Sequence, residues 1–186
     1  MRPDPDIVTR VPAPHLLLAP GASGTIERLH PHRRALVARG IEVTLVTLPK
    51  GTAERATPVY AAAVEAAAPG VAIGGHSFGG RVASLLSAET APAALVLLSY
   101  PLHAPGRQDA WDERTAHWPR IACPVLLLSG EADPFARIDL LRSAVARLPD
   151  AELHTWPGIG HGVHRVLDDA MDRVAAFLRE RLAART

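Results

Sequence analysis

The chain has 186 residues, of which 48 % are hydrophobic, and its formal net charge is +1. This length predicts one domain with a substantial core, and the small charge argues against nucleic acid or an anionic membrane as a partner. The single cysteine excludes an internal disulfide, so we expect a cytoplasmic protein. No apolar run is long enough to span a membrane, and residues 1–14 lack the apolar stretch of a signal peptide.

Strand and helix patterns alternate along the chain. Residues 1–14 are predicted as a lead-in, either mobile or with an edge strand at 7–11, and residues 15–186 as a single domain. Strands are predicted at residues 15–19, 41–48, 94–99, 124–129 and 151–156, and one more begins at residue 71. Helices are predicted at residues 25–39, 53–68, 79–90, 138–148 and 166–184. This alternation predicts an α/β fold with a mainly parallel sheet of about six strands and helices on both faces.

The strand that begins at residue 71 runs directly into a serine flanked by glycines. Gly75, Ser77 and Gly79 fit the G-x-S-x-G pattern, in which a strand, a sharp turn and a helix follow one another. Glycine suits positions 75 and 79 because a side chain there would collide with a neighbouring element. The pattern predicts that the Ser77 hydroxyl stands above the sheet edge as a nucleophile. The alternative is an ordinary glycine-rich turn with a solvated serine.

A serine hydroxyl needs a base near neutral pH, and the base needs an acid that orients it. With this motif the order along the chain is serine, acid, histidine. Asp133 follows the fifth predicted strand and His161 follows the sixth, so both should lie at the same sheet edge as Ser77. The alternatives are that Asp133 caps the next helix, that Glu131 is the acid, and that His161 is a solvated loop residue.

A hydrolytic site of this kind also needs two N–H donors for the oxyanion. One is the N–H of Phe78, at the start of the helix after Ser77. The other should come from the small-residue turn at 20–24, where the Ala22 N–H is the predicted donor. The alternative is that residues 20–24 form an ordinary turn between strand and helix.

These segments resemble the α/β-hydrolase superfamily, and within it small lidless dienelactone-hydrolase-like proteins and the hydrolase domain of testis-expressed proteins. The stretches that carry the resemblance are residues 18–24, 75–81, 99–106 and 130–135. The resemblance implies a catalytic triad of Ser77, Asp133 and His161.

The chain departs from the superfamily pattern in two places. Pro20-Gly21 stands where His-Gly is usual, and the first two strands of the full fold are largely missing. Residues 100–119 replace the lid domain of larger members. The resemblance therefore implies an open cleft and a small or surface-presented substrate.

Four residues are predicted to line the substrate pocket: Ser23, His76, Leu102 and His103. For His103, and for His117 in the same connection, the alternative is that the side chain packs the connection onto the sheet.

The sequence thus predicts a serine hydrolase that acts on a small ester or thioester through an acyl-enzyme. The alternative is a non-catalytic binding or scaffolding protein with the same fold. His154, His161 and His164 match no metal-ligand spacing, and the triad needs no metal, so neither a metal nor a cofactor is expected. Cys123 precedes a buried strand and is predicted to be a core residue rather than a nucleophile.

Overall fold

One parallel sheet organises the part of the chain that the computed structural model describes, residues 13–22 and 25–183. Its strands are β1 (His15–Ala19), β2 (Glu42–Leu45), β3 (Ala72–His76), β4 (Leu95–Leu98), β5 (Val125–Gly130) and β6 (Ala151–Trp156). Their order across the sheet is β2-β1-β3-β4-β5-β6, and every neighbouring pair is parallel. The predicted six-stranded α/β fold is confirmed. The proposed edge strand at 7–11 lies outside the described residues.

Both faces of the four central strands, β1, β3, β4 and β5, are buried, which is why these strands consist almost entirely of apolar residues and glycine. In β1, Leu17 packs into one hydrophobic cluster, while Leu16 and Leu18 pack into the other. Six α-helices lie among the described residues: α1 (His30–Ala38), α2 (Ala53–Glu65), α3 (Phe78–Ser87), α4 (Trp111–Arg114), α5 (Ile138–Val145) and α6 (Leu167–Ala183). Helices α2, α3 and α5 pack on the Leu17 face, and α1 and α6 pack on the opposite face.

The first predicted helix, at 25–39, has a different form in the structure. A 3-10 turn occupies Ile26–Leu29 and α1 starts only at His30, because Pro31 fits the first turn of an α-helix, where no N–H is needed. Gly40 ends the helix with φ +73, a backbone conformation that glycine adopts without strain.

The connection at 100–119 has more structure than its irregular sequence predicts. It contains the 3-10 turns Gln108–Ala110 and Trp118–Arg120 on either side of α4. Trp118 is fully buried, and its ring stands edge-on to Tyr100 at a centroid distance of 5.0 Å. This packing fixes the connection against the sheet. Among the described helices, none is long and apolar enough to cross a membrane.

His117 ties the connection to α3. Its Nε2 lies 2.9 Å from Ser84 Oγ, whose own hydrogen goes to the Arg81 carbonyl, so the imidazole donates to the serine. Burial, with the charges of Arg81 and Arg120, lowers the pKa of His117 to about 4. The side chain therefore packs the connection onto the sheet, the second of the two roles considered for it.

This buried imidazole predicts a loss of stability in acid. The unfolded chain protonates His117 as the pH falls through about 6.5, while the folded chain resists until about pH 4. Across that window the unfolded state binds more protons, so the melting temperature should fall as the pH falls. In His117→Gln, which keeps an N–H donor, the fall between pH 7 and pH 4.5 should be smaller than in the wild-type protein. His30→Gln, at an exposed position, is the control, and equal falls in all three proteins would contradict the prediction.

Candidate active site

Ser77 lies at the turn between the end of β3 and the start of α3. Its backbone has φ 50 and ψ −114, a conformation that a non-glycine residue adopts only under strain. The turn is tight enough that a Cβ at Gly75 would overlap the backbone of Gly79, and a Cβ at Gly79 would overlap the carbonyl of Ala19. The glycines are thus required because helix and sheet touch here.

A continuous hydrogen-bonded chain joins the three residues that the sequence singled out. His161 Nε2 lies 2.9 Å from Ser77 Oγ, and His161 Nδ1 lies 2.8 Å from Asp133 Oδ2. The Asp133 side chain is fully buried, whereas the His161 side chain keeps 21 % of its surface exposed. The other carboxylate oxygen, Oδ1, accepts a hydrogen bond from the Phe135 N–H at 2.8 Å. Both oxygens of Asp133 are therefore held by donors.

The sheet brings these residues together because Asp133 and His161 follow neighbouring parallel strands, β5 and β6. At the last residue of β5, a Cβ on Gly130 would overlap the carbonyls of Ile159 and Gly160. The loop after β6 carries His161 (the histidine loop, residues 157–163), and the loop after β5 carries Asp133 (the acid loop, residues 131–137). Only glycine at position 130 lets the histidine loop pack this closely on the acid loop. Glu131, the alternative acid, instead accepts a hydrogen bond from Thr155 Oγ1 at 2.8 Å.

Ser99 is a residue of this site that the sequence analysis missed. It follows β4, is fully buried and has φ 49, the second positive φ among the described non-glycine residues. Its Oγ accepts a hydrogen bond at 3.0 Å from the N–H of Gly162, the residue next to His161. The structure thus attaches the histidine loop to a third strand end. Its positive φ reflects tertiary contacts, and the local sequence carries no signal for it.

The N–H of Phe78 is at the first position of α3, where an N–H has no acceptor within the helix. Across the cleft, the turn after β1 approaches the serine: a Cβ built on Gly21 would lie 3.4 Å from Ser77 Cβ. Ala22 is exposed and lines the cavity beside Ser77. Ser23, predicted to line the pocket, lies outside the described residues.

A cavity of about 700 Å³ opens at Ser77, and its size is typical of small-molecule sites. One wall is the turn after β1, and another is the histidine loop. Three further lining residues come from the 3-10 turn before α1 and from the first turn of α1: Arg28, Leu29 and His32. Phe135 also lines the cavity, with its ring centroid 4.7 Å from that of His161.

The family model described as an alpha/beta hydrolase domain matches residues 48–173, more than half of the chain. This protein belongs to the alpha/beta hydrolase family. The matched segment includes Ser77, Asp133 and His161 and ends within α6. The dienelactone-hydrolase-like subfamily suggested by the sequence stays a prediction.

Solved structures share the fold at low sequence identity. Est1E from Butyrivibrio proteoclasticus superposes with a TM-score of 0.78 and 17 % identity, covering 92 % of this chain and 89 % of that one. A monoacylglycerol lipase from Paleococcus ferrophilus gives a TM-score of 0.78 and 15 % identity, covering 91 % of this chain and 96 % of that one. Likeness at these identities establishes the fold alone.

In this alpha/beta hydrolase, His76 lines the cavity, as the sequence predicted for it. Its ring centroid lies 5.3 Å from that of His161. Burial, followed by the proximity of His161, lowers the pKa of His76 to about 4. The His76 ring is therefore neutral near pH 7 and offers the cavity a polar but uncharged wall.

Leu102 and His103 do not line this cavity, contrary to prediction. Leu102 is fully buried in the hydrophobic cluster on the Leu17 face of the sheet. His103 is also buried; its Nδ1 donates to the Ala104 carbonyl at 3.0 Å, and its Nε2 accepts from the Arg137 N–H at 3.0 Å. The His103 N–H donates to the carbonyl of Phe135 at 2.9 Å. The chain passes beneath the acid loop here and supports it, rather than covering the serine.

Proposed function

We propose that this protein is a serine hydrolase that cleaves a carboxylic ester or thioester through an acyl-enzyme. The observation that carries the proposal is the hydrogen-bonded chain from Ser77 Oγ through His161 to Asp133. A scaffold with this fold has no need of all three side chains in contact. The name of one structural neighbour, a monoacylglycerol lipase, points to the same bond class.

In the proposed reaction, Ser77 Oγ attacks the acyl carbon while His161 Nε2 takes its proton. The negative charge that develops on the carbonyl oxygen is stabilised by the N–H groups of Phe78 and Ala22. His161 then gives the proton to the leaving alcohol or thiol, and the acyl group stays on Ser77. Water then attacks the acyl carbon of the acyl-enzyme while His161 takes its proton, and His161 returns that proton to Ser77 Oγ as the acyl–oxygen bond breaks, which releases the acid and restores the serine.

Asp133 acts through His161 in this scheme. Its Oδ2 accepts the Nδ1 hydrogen, which leaves Nε2 without a hydrogen and able to accept one from Ser77. The carboxylate also stabilises the imidazolium that forms during each step. The Phe135 N–H donates to Oδ1, which stabilises the orientation in which Oδ2 faces the imidazole.

The substrate we propose is a small molecule with an ester-type bond. One solved structure of Est1E contains ferulic acid, and that chain superposes on this one with a TM-score of 0.77 at 18 % identity, covering 91 % of this chain and 90 % of that one. The cavity of about 700 Å³ at Ser77 has room for an acyl group of comparable size.

We further propose that residues 15–186 form one domain, since both hydrophobic clusters share one sheet. We also propose that the protein acts in the cytoplasm.

Covalent labelling with a fluorophosphonate tests the proposal. We expect one adduct per chain, on the tryptic peptide 56–81, in which Ser77 is the single serine. His161→Gln removes the base and should abolish labelling, while His154→Gln, on β6 and away from the serine, should label like the wild-type protein. Mass spectrometry of the digests makes the measurement. An unlabelled wild-type protein, or an adduct on another peptide, would contradict the proposal.

A further inference from the structure

A second cavity, of about 550 Å³, lies between α2, α3 and the connection at 100–119. Four arginine residues line it: Arg81, Arg107, Arg114 and Arg120. The carboxylates in the same lining are Glu54 and Glu113, so the cations outnumber them by two. None of these residues lines the cavity at Ser77. Cationic groups gathered around a concave surface attract an anion.

One guanidinium nitrogen of Arg81 donates to no group among the described residues. Its Nη2 lies 3.3 Å from Glu54 Oε1, but the Glu54 side chain is 64 % exposed, so this ion pair is largely solvated. Its Nη1 is buried and has no hydrogen-bond partner within the described part of the chain. A buried guanidinium nitrogen without an acceptor is costly, so a movement of the Arg81 side chain that brought Nη1 to an anion in the cavity would be favourable.

Arg114, which lines the same cavity, is half-buried. Burial, followed by the charge of Arg81, lowers the pKa of Arg114, so the two guanidinium groups repel each other. Arg114 Nη1 donates to the Pro101 carbonyl at 3.2 Å, which fixes the side chain in place. His117 adds no charge, because its pKa is about 4. An anion between Arg81 and Arg114 would remove this repulsion.

The rest of the lining is apolar and comes from Leu85, Ala104, Ala110 and Ala116. A bare inorganic anion would leave this surface unused, and the volume lies in the range of small-molecule sites. The guanidinium group matches the geometry of phosphate oxygens with two parallel hydrogen bonds.

We propose that this cavity binds a small organic phosphate, with its phosphate on Arg81 and Arg114 and its uncharged part on the alanines and Leu85. The site is separate from the serine and does not depend on the hydrolytic function. Ser77→Ala should therefore bind such a ligand as well as the wild-type protein does.

Calorimetric titration of the full chain with ADP, inorganic pyrophosphate and adenosine tests the assignment. We expect ADP to bind, pyrophosphate to bind more weakly, and adenosine to give no measurable heat at the same concentrations. Added KCl should weaken the binding of ADP, since exposed Arg107 and Arg120 contribute to it. Absence of ADP binding would overturn the proposal, and pyrophosphate that binds as tightly as ADP would overturn the assignment to an organic phosphate.

Variants locate the site. Arg81→Gln should weaken ADP binding by about 10- to 100-fold, the range for a charge-assisted hydrogen bond. Arg34→Gln is the matched control, because it removes the same charge from an exposed position of α1, on the other face of the sheet. Arg120→Gln, at an exposed position, should also weaken ADP binding. This variant tests the location of the site if Arg81→Gln does not fold. Affinity equal to that of Arg34→Gln in either folded variant would place the ligand elsewhere.

Discussion

Ser77→Ala is expected to lower kcat on nitrophenyl acetate by on the order of 10⁴- to 10⁶-fold. The oxygen that His161 deprotonates is removed, so the acyl-enzyme cannot form. Any remaining turnover would come from the N–H groups of Phe78 and Ala22, which still stabilise attack by water. Steady-state kinetics with purified protein makes the measurement. The alanine keeps the Cβ, so the melting temperature should change little.

The matched control is Ser143→Ala, which removes a hydroxyl from an exposed position of α5 where Oγ donates to the Asp139 carbonyl. It should keep full activity. If Ser77→Ala retains more than about a tenth of the wild-type rate, Ser77 is not the nucleophile and the proposed mechanism is wrong.

Asp133→Asn is expected to lower kcat by about 10⁴-fold, the size of the effect of the same change in a serine protease. The Phe135 N–H needs an acceptor, so the asparagine should keep its carbonyl oxygen on that donor and turn its NH₂ group toward His161. Nδ1 must then accept, which moves the imidazole hydrogen to Nε2. In that tautomer the histidine cannot take the serine proton.

The variant should still fold, because carboxylate and amide have nearly the same shape. Asp139→Asn, an exposed position in the first turn of α5, is the control and should behave like the wild-type protein. A further readout separates this effect from a packing defect. The rate of Asp133→Asn should rise steeply with pH, as hydroxide replaces the missing base, whereas a loosely packed variant would lose activity at every pH. A loss of less than tenfold would rule out Asp133 as the orienting acid.

Much of the fold was predictable because a buried parallel sheet has a strong local signature. The run Leu16–18 is apolar at every position, as a strand covered on both faces must be. The turn around Ser77 was predictable for a different reason. Steric overlap at positions 75 and 79 permits only glycine there, so the two glycines in the sequence indicate a tight turn. The positions of Asp133 and His161 followed from strand order, since neighbouring parallel strands end at one edge.

The errors concern residues whose position depends on tertiary contacts. Leu102 and His103 lie in a segment without a helix or strand period, so nothing local shows that it passes under the acid loop. His103 is fixed there by the N–H of Arg137, 34 residues away. The arginines of the second cavity are likewise separated along the chain, and only the folded segment 107–120 brings the other three to Arg81.

Two of the contacts that hold the histidine loop involve different strands: the contact of Gly130 with Ile159, and the hydrogen bond from Gly162 to Ser99. The Gly162 amide can exchange its hydrogen with deuterated solvent only when this loop separates from Ser99. Its exchange rate in the resting protein is thus a measure of how often the imidazole leaves the serine. Hydrogen exchange at this one amide therefore reports, in the absence of substrate, how often the contact between His161 and Ser77 is broken.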